Sequence, residues 1–226
     1  MTSVYYFSGS GNSKSVAEYF SKSLNVSMIE IQQGMKAAGD TVVVIFPVYC
    51  QNILPMVKSF LRSLNAKYVV LIALYGRIST GNVLCEAKKL TKATVIAAAY
   101  LPSGHSFLGE GLDFDLRRLD PIFGCIRVPK EANIPRRSKN LFANIFPAWR
   151  SRVGVRIIRT SLCDNCGKCE YVCPMGAIKN GKIGSSCIRC LKCVNMCPNS
   201  ALCVKKSKIL SIYLRRKKKN DLIIYL

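Results

Sequence analysis

The sequence predicts an α/β protein: a doubly wound parallel sheet followed by a small, cysteine-rich α+β module. Residues 2–101 alternate β-branched apolar runs with helix-like segments, the pattern of parallel strands covered on both faces. Eight of the twelve Cys crowd into residues 163–197 at metal-ligand spacing, which fits an intracellular metal site better than a disulfide framework. A chain of 226 residues accommodates one mid-sized core and one small module.

The elements follow in order. SVYYFS is the first strand and runs through a turn of Ser, Gly and Asn into the helix NSKSVAEYFSKSL. VSMIEIQ is the second strand. DTVVVIF, the third, leads through PVYCQNILP into the helix MVKSFLRSL. KYVVLIALY, the fourth, leads through GRISTGN into the helix VLCEAKKL, and ATVIAAAY is the fifth. Such sheets bind ligands at the carboxyl ends of the strands, where strand order reverses. From Leu101 the pattern breaks into LPSGHSFLGEG, with a helix expected over PRRSKNLFANIFPAWR, about residues 135–150, and a connection in SRVGVRIIRT. The expected division is a sheet domain at 1–150, a linker at 151–159, the cysteine module at 160–204 and a basic tail at 205–226. In that tail Lys205, Lys206, Lys208, Arg215, Arg216, Lys217, Lys218 and Lys219 bracket ILSIYL.

CDNCGKCEYVCP from Cys163 and CIRCLKCVNMCP from Cys187 both read C-x2-C-x2-C-x3-C-P, and each Cys of the first copy recurs 24 positions later. This is the ligand pattern of two [4Fe-4S] clusters, in which the fourth Cys of each run crosses to the other cluster. One cluster takes Cys163, Cys166, Cys169 and Cys197, and the other takes Cys187, Cys190, Cys193 and Cys173. Three thiolates on a tight loop each reach a corner of one cubane, while Pro174 and Pro198 turn the chain away. Zinc also accepts C-x2-C pairs, but its sites do not usually repeat this four-cysteine run in tandem. With the intervening AIKNGKIG, residues 160–204 resemble a bacterial two-cluster ferredoxin, short hairpin included.

Ser8, Gly9, Ser10, Gly11, Asn12 and Ser13 lie between a strand and a helix start, where N–H groups and hydroxyls converge on the positive end of the helix dipole. A nucleotide P-loop needs G-x4-G-K-[ST], and the dinucleotide fingerprint needs a third Gly where Lys14 stands. The stretch is instead similar to the flavodoxin phosphate loop, [ST]-x-[ST]-G-x-[ST], which holds the FMN phosphate without a cationic side chain. That resemblance implies flavin-contacting loops after the third and fourth strands. Pro47 and Tyr49 in the first, with Tyr49 stacking on the isoalloxazine, and Tyr75 and Gly76 in the second are the corresponding residues.

Together the two resemblances, over residues 1 to about 110 and 160–204, are those of the flavodoxin-ferredoxin fusion family of anaerobic bacteria and archaea. They imply a flavodoxin-like doubly wound parallel sheet with a small α+β two-cluster ferredoxin domain, and an electron carrier or flavin/iron–sulfur oxidoreductase with FMN and two [4Fe-4S] clusters. Two rival readings are a flavin-dependent reductase of a quinone or other small acceptor, and a ferredoxin on a flavin-free scaffold that binds an anionic partner. LPSGHSFLG stands where relatives tend to carry a Pro-Asn-Tyr type segment after the fifth strand.

The formal charge of +22 falls to about +16 once two clusters and an FMN phosphate are counted. Flavodoxins and ferredoxins are usually acidic, so the expected partners are acidic redox proteins, such as an ordinary ferredoxin or flavodoxin, docked by salt-sensitive steering. The tail adds an anionic membrane surface as a second expected partner. Nucleic acid is not expected, since aromatic residues do not interleave with the basic ones in a recognisable module. The start MTSVYYFSGSGN has neither a basic leader nor an apolar core, and no segment reaches membrane-spanning length; the expected location is cytoplasmic, including the inner face of the membrane. His105, the only histidine, reads as an exposed loop residue, and Cys50, Cys85, Cys125 and Cys203 as small buried hydrophobes. A single histidine leaves no Ser-His-Asp or Cys-His constellation, so no hydrolytic residue is expected.

Overall fold

The computed structural model describes residues 1–144 and 147–226, without the side chains of 147–150. The first half runs β1 (Thr2–Tyr6), α1 (Asn12–Leu24), β2 (Met28–Glu30), β3 (Ala38–Pro47), α2 (Pro55–Ser63), β4 (Asn65–Tyr75), α3 (Val83–Lys88) and β5 (Thr94–Pro102). These strands pair in the order β2-β1-β3-β4-β5, all parallel. It is the flavodoxin-like order, with its switch point between β1 and β3.

The period of two in the strands sorts the core into two layers. Val4, Tyr6, Val43 and Ile45 meet Val16, Ala17 and Phe20 of α1. Tyr5, Phe7, Val42, Val44 and Phe46 face the other way, onto Val57, Phe60 and Leu61 of α2 and Val83, Leu84 and Ala87 of α3. Both faces are covered over the central strands, so β3, β4 and β5 carry continuously apolar stretches rather than alternating ones.

Beyond β5 a 3₁₀ turn (Leu116–Leu119) and α4 (Pro121–Arg127) extend the α1 layer through Leu119 and Ile122. The helix expected over 135–150 does not form as one element. Residues 128–140 form no helix or strand, Leu141–Asn144 form a 3₁₀ turn, Ile145 and Phe146 lie outside the described residues, and α5 spans Pro147–Gly154. Tertiary contacts override the local preference. Ile134 enters the α2/α3 layer, the Arg137 backbone N–H donates to Asn82 Oδ1 at 2.9 Å, and Lys139 pairs with Glu86 at 2.8 Å.

The cysteine-rich module follows as β6 (Val155–Arg159), α6 (Lys168–Tyr171), β7 (Ile178–Lys179), β8 (Lys182–Ile183), α7 (Lys192–Asn195) and β9 (Leu202–Lys206). β6 and β9 pair antiparallel, from Val155 opposite Lys206 to Arg159 opposite Leu202. β7 and β8 form the expected hairpin, turned by Asn180 and Gly181 at φ 49° and 69°, as a tight two-residue connection requires.

The 24-residue repeat extends to the backbone. Left-handed positions at Asn165, Gly167 and Gly176 recur at Arg189, Leu191 and Ser200, so both runs fold the same way even where the second copy lacks glycine.

The residues after β9 form α8 (Lys208–Leu214) and β10 (Ile223–Tyr225). β10 pairs antiparallel with β5, Ile224 opposite Ala99, and adds an outer strand to the sheet. Ser207 caps α8, its Oγ accepting from the Leu210 N–H at 3.2 Å.

Candidate functional site

At the carboxyl ends of β1, β3, β4 and β5, a cavity of about 50 Å³ is lined by Gly9, Ser10, Asn12, Ser13, Pro47, Tyr49, Gly76 and residues 103–106. It adjoins a second of about 110 Å³, walled by Ile78, Phe107, Leu210 and Tyr213; both share Val48, Tyr49, Gly76, His105 and Ser106. The result is one groove at the switch point, the position the fold reserves for ligands.

Its phosphate end is prepared by the turn before α1. Gly11 takes φ 94°, and its N–H donates to Ser8 Oγ at 3.0 Å. Ser13 is buried at 2% exposure. Among the described residues neither Ser13 Oγ nor Ser10 Oγ has a hydrogen-bond partner within the chain, and the first N–H groups of α1 are likewise unpaired. Such a nest of donors fits a phosphate dianion.

Of the expected flavin contacts, Gly9, Ser10, Asn12, Ser13, Pro47, Tyr49 and Gly76 come together in this groove. Ser8 and Gly11 shape the turn instead. Tyr75 does not line the groove: it belongs to the α2/α3 layer, and its hydroxyl donates to the Asp221 carbonyl at 2.7 Å beneath the C-terminal segment. The alternation along β4 decides this, since Leu74 faces the groove and its neighbour must face away. Tyr49 donates its hydroxyl to the Arg189 carbonyl in the cysteine-rich module, and its ring meets Phe107 edge-on with centroids 6.5 Å apart.

His105 corrects the expectation of an exposed loop residue. It is partly buried in the groove wall, so close to Gly76 that a Cβ on that glycine would stand 2.6 Å from His105 Cδ2. Its Nδ1 accepts from the Phe107 N–H at 3.3 Å, which leaves the proton of the neutral ring on Nε2. Burial lowers its pKa to about 4; Glu110 opposes the shift, and Lys218 and Lys206 add to it.

Unfolded, the imidazole takes up a proton below about 6.5, whereas the buried ring resists until about 4. The folded state therefore loses stability as pH falls through that window, by up to about 3 kcal/mol. Urea unfolding across this range is expected to show that slope in the native chain and a flatter one in His105→Gln.

The loop after β5 was legible only through the general rule that such loops line the site. Leu210 and Tyr213, more than 100 residues further on, carry no local signal.

Two further cavities lie in the cysteine-rich module. Cys163, Cys166, Cys169 and Cys197 line one of about 230 Å³, and Cys173, Cys187, Cys190 and Cys193 line one of about 10 Å³. The fourth Cys of each run stands with the other run's three. The thiols ring these spaces, and among the described residues no three donors converge on a single-ion site. Four cysteines at each cavity match the number of thiolates that a [4Fe-4S] cluster takes.

Backbone N–H groups already point at sulfur: Ala177 N to Cys173 Sγ at 3.2 Å and Ala201 N to Cys197 Sγ at 3.3 Å, again 24 residues apart. Burial pushes the Cys190 thiol up to about 11 and the Cys193 thiol up to about 12; a coordinated metal reverses that preference by holding the thiolate.

The other cysteines depart from expectation. Cys50, Cys85 and Cys125 are half-buried, and Cys203 is exposed, because Leu202 takes the inward position on β9.

The two halves touch at one point of very close approach. A Cβ on Gly9 would stand 2.0 Å from the Cys190 carbonyl oxygen. Asn195 Nδ2 donates to the Gly9 carbonyl at 2.8 Å, and Lys192 pairs with Glu30 at 2.7 Å. Cys190 accordingly lines both the groove and the smaller cysteine cavity.

Comparison with known proteins bears on the cysteine-rich module. The 4Fe-4S binding domain family matches residues 156–179, a stretch containing the first cysteine run, so the chain carries a 4Fe-4S binding domain beside a flavodoxin-like sheet. Among solved structures, a candidate flavoprotein from Bacteroides uniformis ATCC 8492 is 17% identical, with 48% of this chain and 94% of that one covered, at a TM-score of 0.37. Another from Bacteroides eggerthii DSM 20697 is 15% identical, with 56% and 97% covered, at 0.39. No curated protein matches the chain. No helix among the described residues is long and apolar enough to cross a membrane.

Proposed function

We propose that this chain is an electron-transfer protein of the flavodoxin-ferredoxin fusion type, with FMN in the groove and two [4Fe-4S] clusters in the cysteine-rich module. One observation carries the reading: Cys190 forms the shared wall between the groove and a ring of four thiols. When bound, the clusters supply one-electron exchange and the flavin one- or two-electron exchange.

The protein supplies position. Ser10, Ser13 and the start of α1 would hold the phosphate, and Tyr49, Gly76 and His105 would bound the ring system. Cys173, Cys187, Cys190 and Cys193 form the set that faces the groove. Cys163, Cys166, Cys169 and Cys197 form the outer set, whose Cys166 is exposed. The Gly9–Cys190 contact, the Lys192–Glu30 pair and the Tyr49–Arg189 hydrogen bond keep water out of the junction and hold the inner set against the groove. A redox partner would reach the outer set first, and the basic surface would steer an acidic one towards it. Read as cluster ligands, the eight clustered cysteines favour a reducing compartment such as the cytoplasm.

The decisive measurement is acid-released flavin counted against iron in anaerobically purified protein. About one FMN and about eight iron per chain are expected. Iron near eight without flavin would leave a ferredoxin on an empty scaffold, and iron near four would leave a single cluster.

A pair of variants separates the two sets. Cys166→Ala is expected to lower iron to about four while flavin is retained. Cys190→Ala should lower iron equally and also weaken flavin binding, because only that residue shares a wall with the groove; flavin titration of both variants checks this.

A further inference from the structure

The positive charge is unevenly distributed. Residues 132–226 carry 20 Lys and Arg against 3 Asp and Glu, whereas residues 1–131 carry 14 against 9. Residues 205–219 hold eight cations and no acid; of these Lys218 is paired, with Glu110.

Large apolar side chains stand out of the same region. On α8, Leu214 is buried and Leu210 and Tyr213 close the groove, but Ile209 and Ile212 project into solvent at 80% and 68% exposure. Leu141 and Phe142, on the 3₁₀ turn, are exposed at 90% and 67%, and Val153 of α5 at 53%.

These elements are linked through their neighbours. Ser207 N donates to the Gly154 carbonyl at 2.9 Å and joins the start of α8 to the end of α5. The 3₁₀ turn hangs on the loop after β3, through Asn140 N to Gln51 Oε1 at 2.9 Å and Asn52 Nδ2 to the Ala143 carbonyl at 2.7 Å. Gln51 lines the same cavity as Leu210 and Tyr213.

We infer that α8, with the 3₁₀ turn carried on the loop after β3, forms a peripheral docking face for an anionic lipid bilayer. Isolated protruding aliphatic side chains bracketed by Lys and Arg suit an interface where hydrocarbon lies just below a layer of negative headgroups. A protein partner is the weaker match, since protein interfaces are depleted in lysine and Lys205, Lys206, Lys208 and Lys217–Lys219 dominate here. Ile209 and Ile212 would enter the acyl boundary while Lys208, Arg215, Arg216 and Lys217 meet the headgroups. The face does not depend on which cofactors the groove and the cysteine-rich module hold.

The test is co-sedimentation of the full, cofactor-loaded chain with vesicles of phosphatidylcholine alone and of an equal mixture of phosphatidylcholine and phosphatidylglycerol. Binding is expected only to the mixed vesicles, and salt should weaken it. I209S/I212S should reduce partitioning by about tenfold or more, and R215Q/R216Q/K217Q by about a hundredfold. Unchanged circular dichroism and iron content would show that both variants fold. Equal binding to both vesicle types, no binding, or full binding by I209S/I212S would each overturn the proposal. Retention on an acidic protein without vesicle binding would reassign the face to a protein partner.

Discussion

Gly9→Val is expected to push the cysteine-rich module away from the groove at this junction while leaving both folded. A Cβ at this position would stand 2.0 Å from the Cys190 carbonyl oxygen, and the obstacle is backbone, so no rotamer change can relieve it. Overpacking of a close contact typically costs about 1–3 kcal/mol, occasionally more. The polar contacts opposing separation are the Lys192–Glu30 pair, Asn195 to Gly9 and Tyr49 to Arg189; Ile188 and Cys190, buried in the α2/α3 layer, add apolar contact, so the clash is expected to loosen the junction locally. The expected result is near-native iron and flavin contents, faster proteolysis at the junction, and reduction of the flavin by a cluster-directed donor slowed by at least about tenfold. Unchanged intramolecular transfer would mean that the junction is not the route.

Ser10→Asp should remove the flavin and spare the iron. The native turn offers hydroxyls and N–H groups to a dianion with no cationic side chain in the turn. A carboxylate at roughly 4 Å from a bound phosphate costs about 4 kcal/mol at an effective dielectric constant of 20, or about a thousandfold in affinity. FMN titration of the flavin-depleted protein measures the loss, and iron content serves as the internal control. Retained FMN affinity would place the phosphate elsewhere.

Much of this arrangement is legible in the sequence because its signals are local. The central strands β3, β4 and β5 each carry a continuous apolar run, and each cysteine run spans eleven residues. The turn at Ser8–Ser13 announces a phosphate site through small residues between a strand and a helix. Where the sequence misleads, a long-range contact has overridden a local preference. Residues 135–140 read as helix but form none, because Arg137 and Lys139 reach Asn82 and Glu86. His105 reads as exposed but is partly buried because the loop after β5 folds against Gly76.

By itself, then, the sequence determined a doubly wound parallel sheet, a cysteine module with a 24-residue internal repeat, and a donor nest before α1. Only the tertiary structure decided which thiol set faces the groove, that Tyr75 turns away from it, and that α8 closes it before β10 joins the sheet. The physical reason is range. Periodicity and ligand spacing act within a few turns of chain, whereas the meeting of Gly9 with Cys190, or of Tyr49 with Tyr213 around one cavity, depends on how completed elements pack.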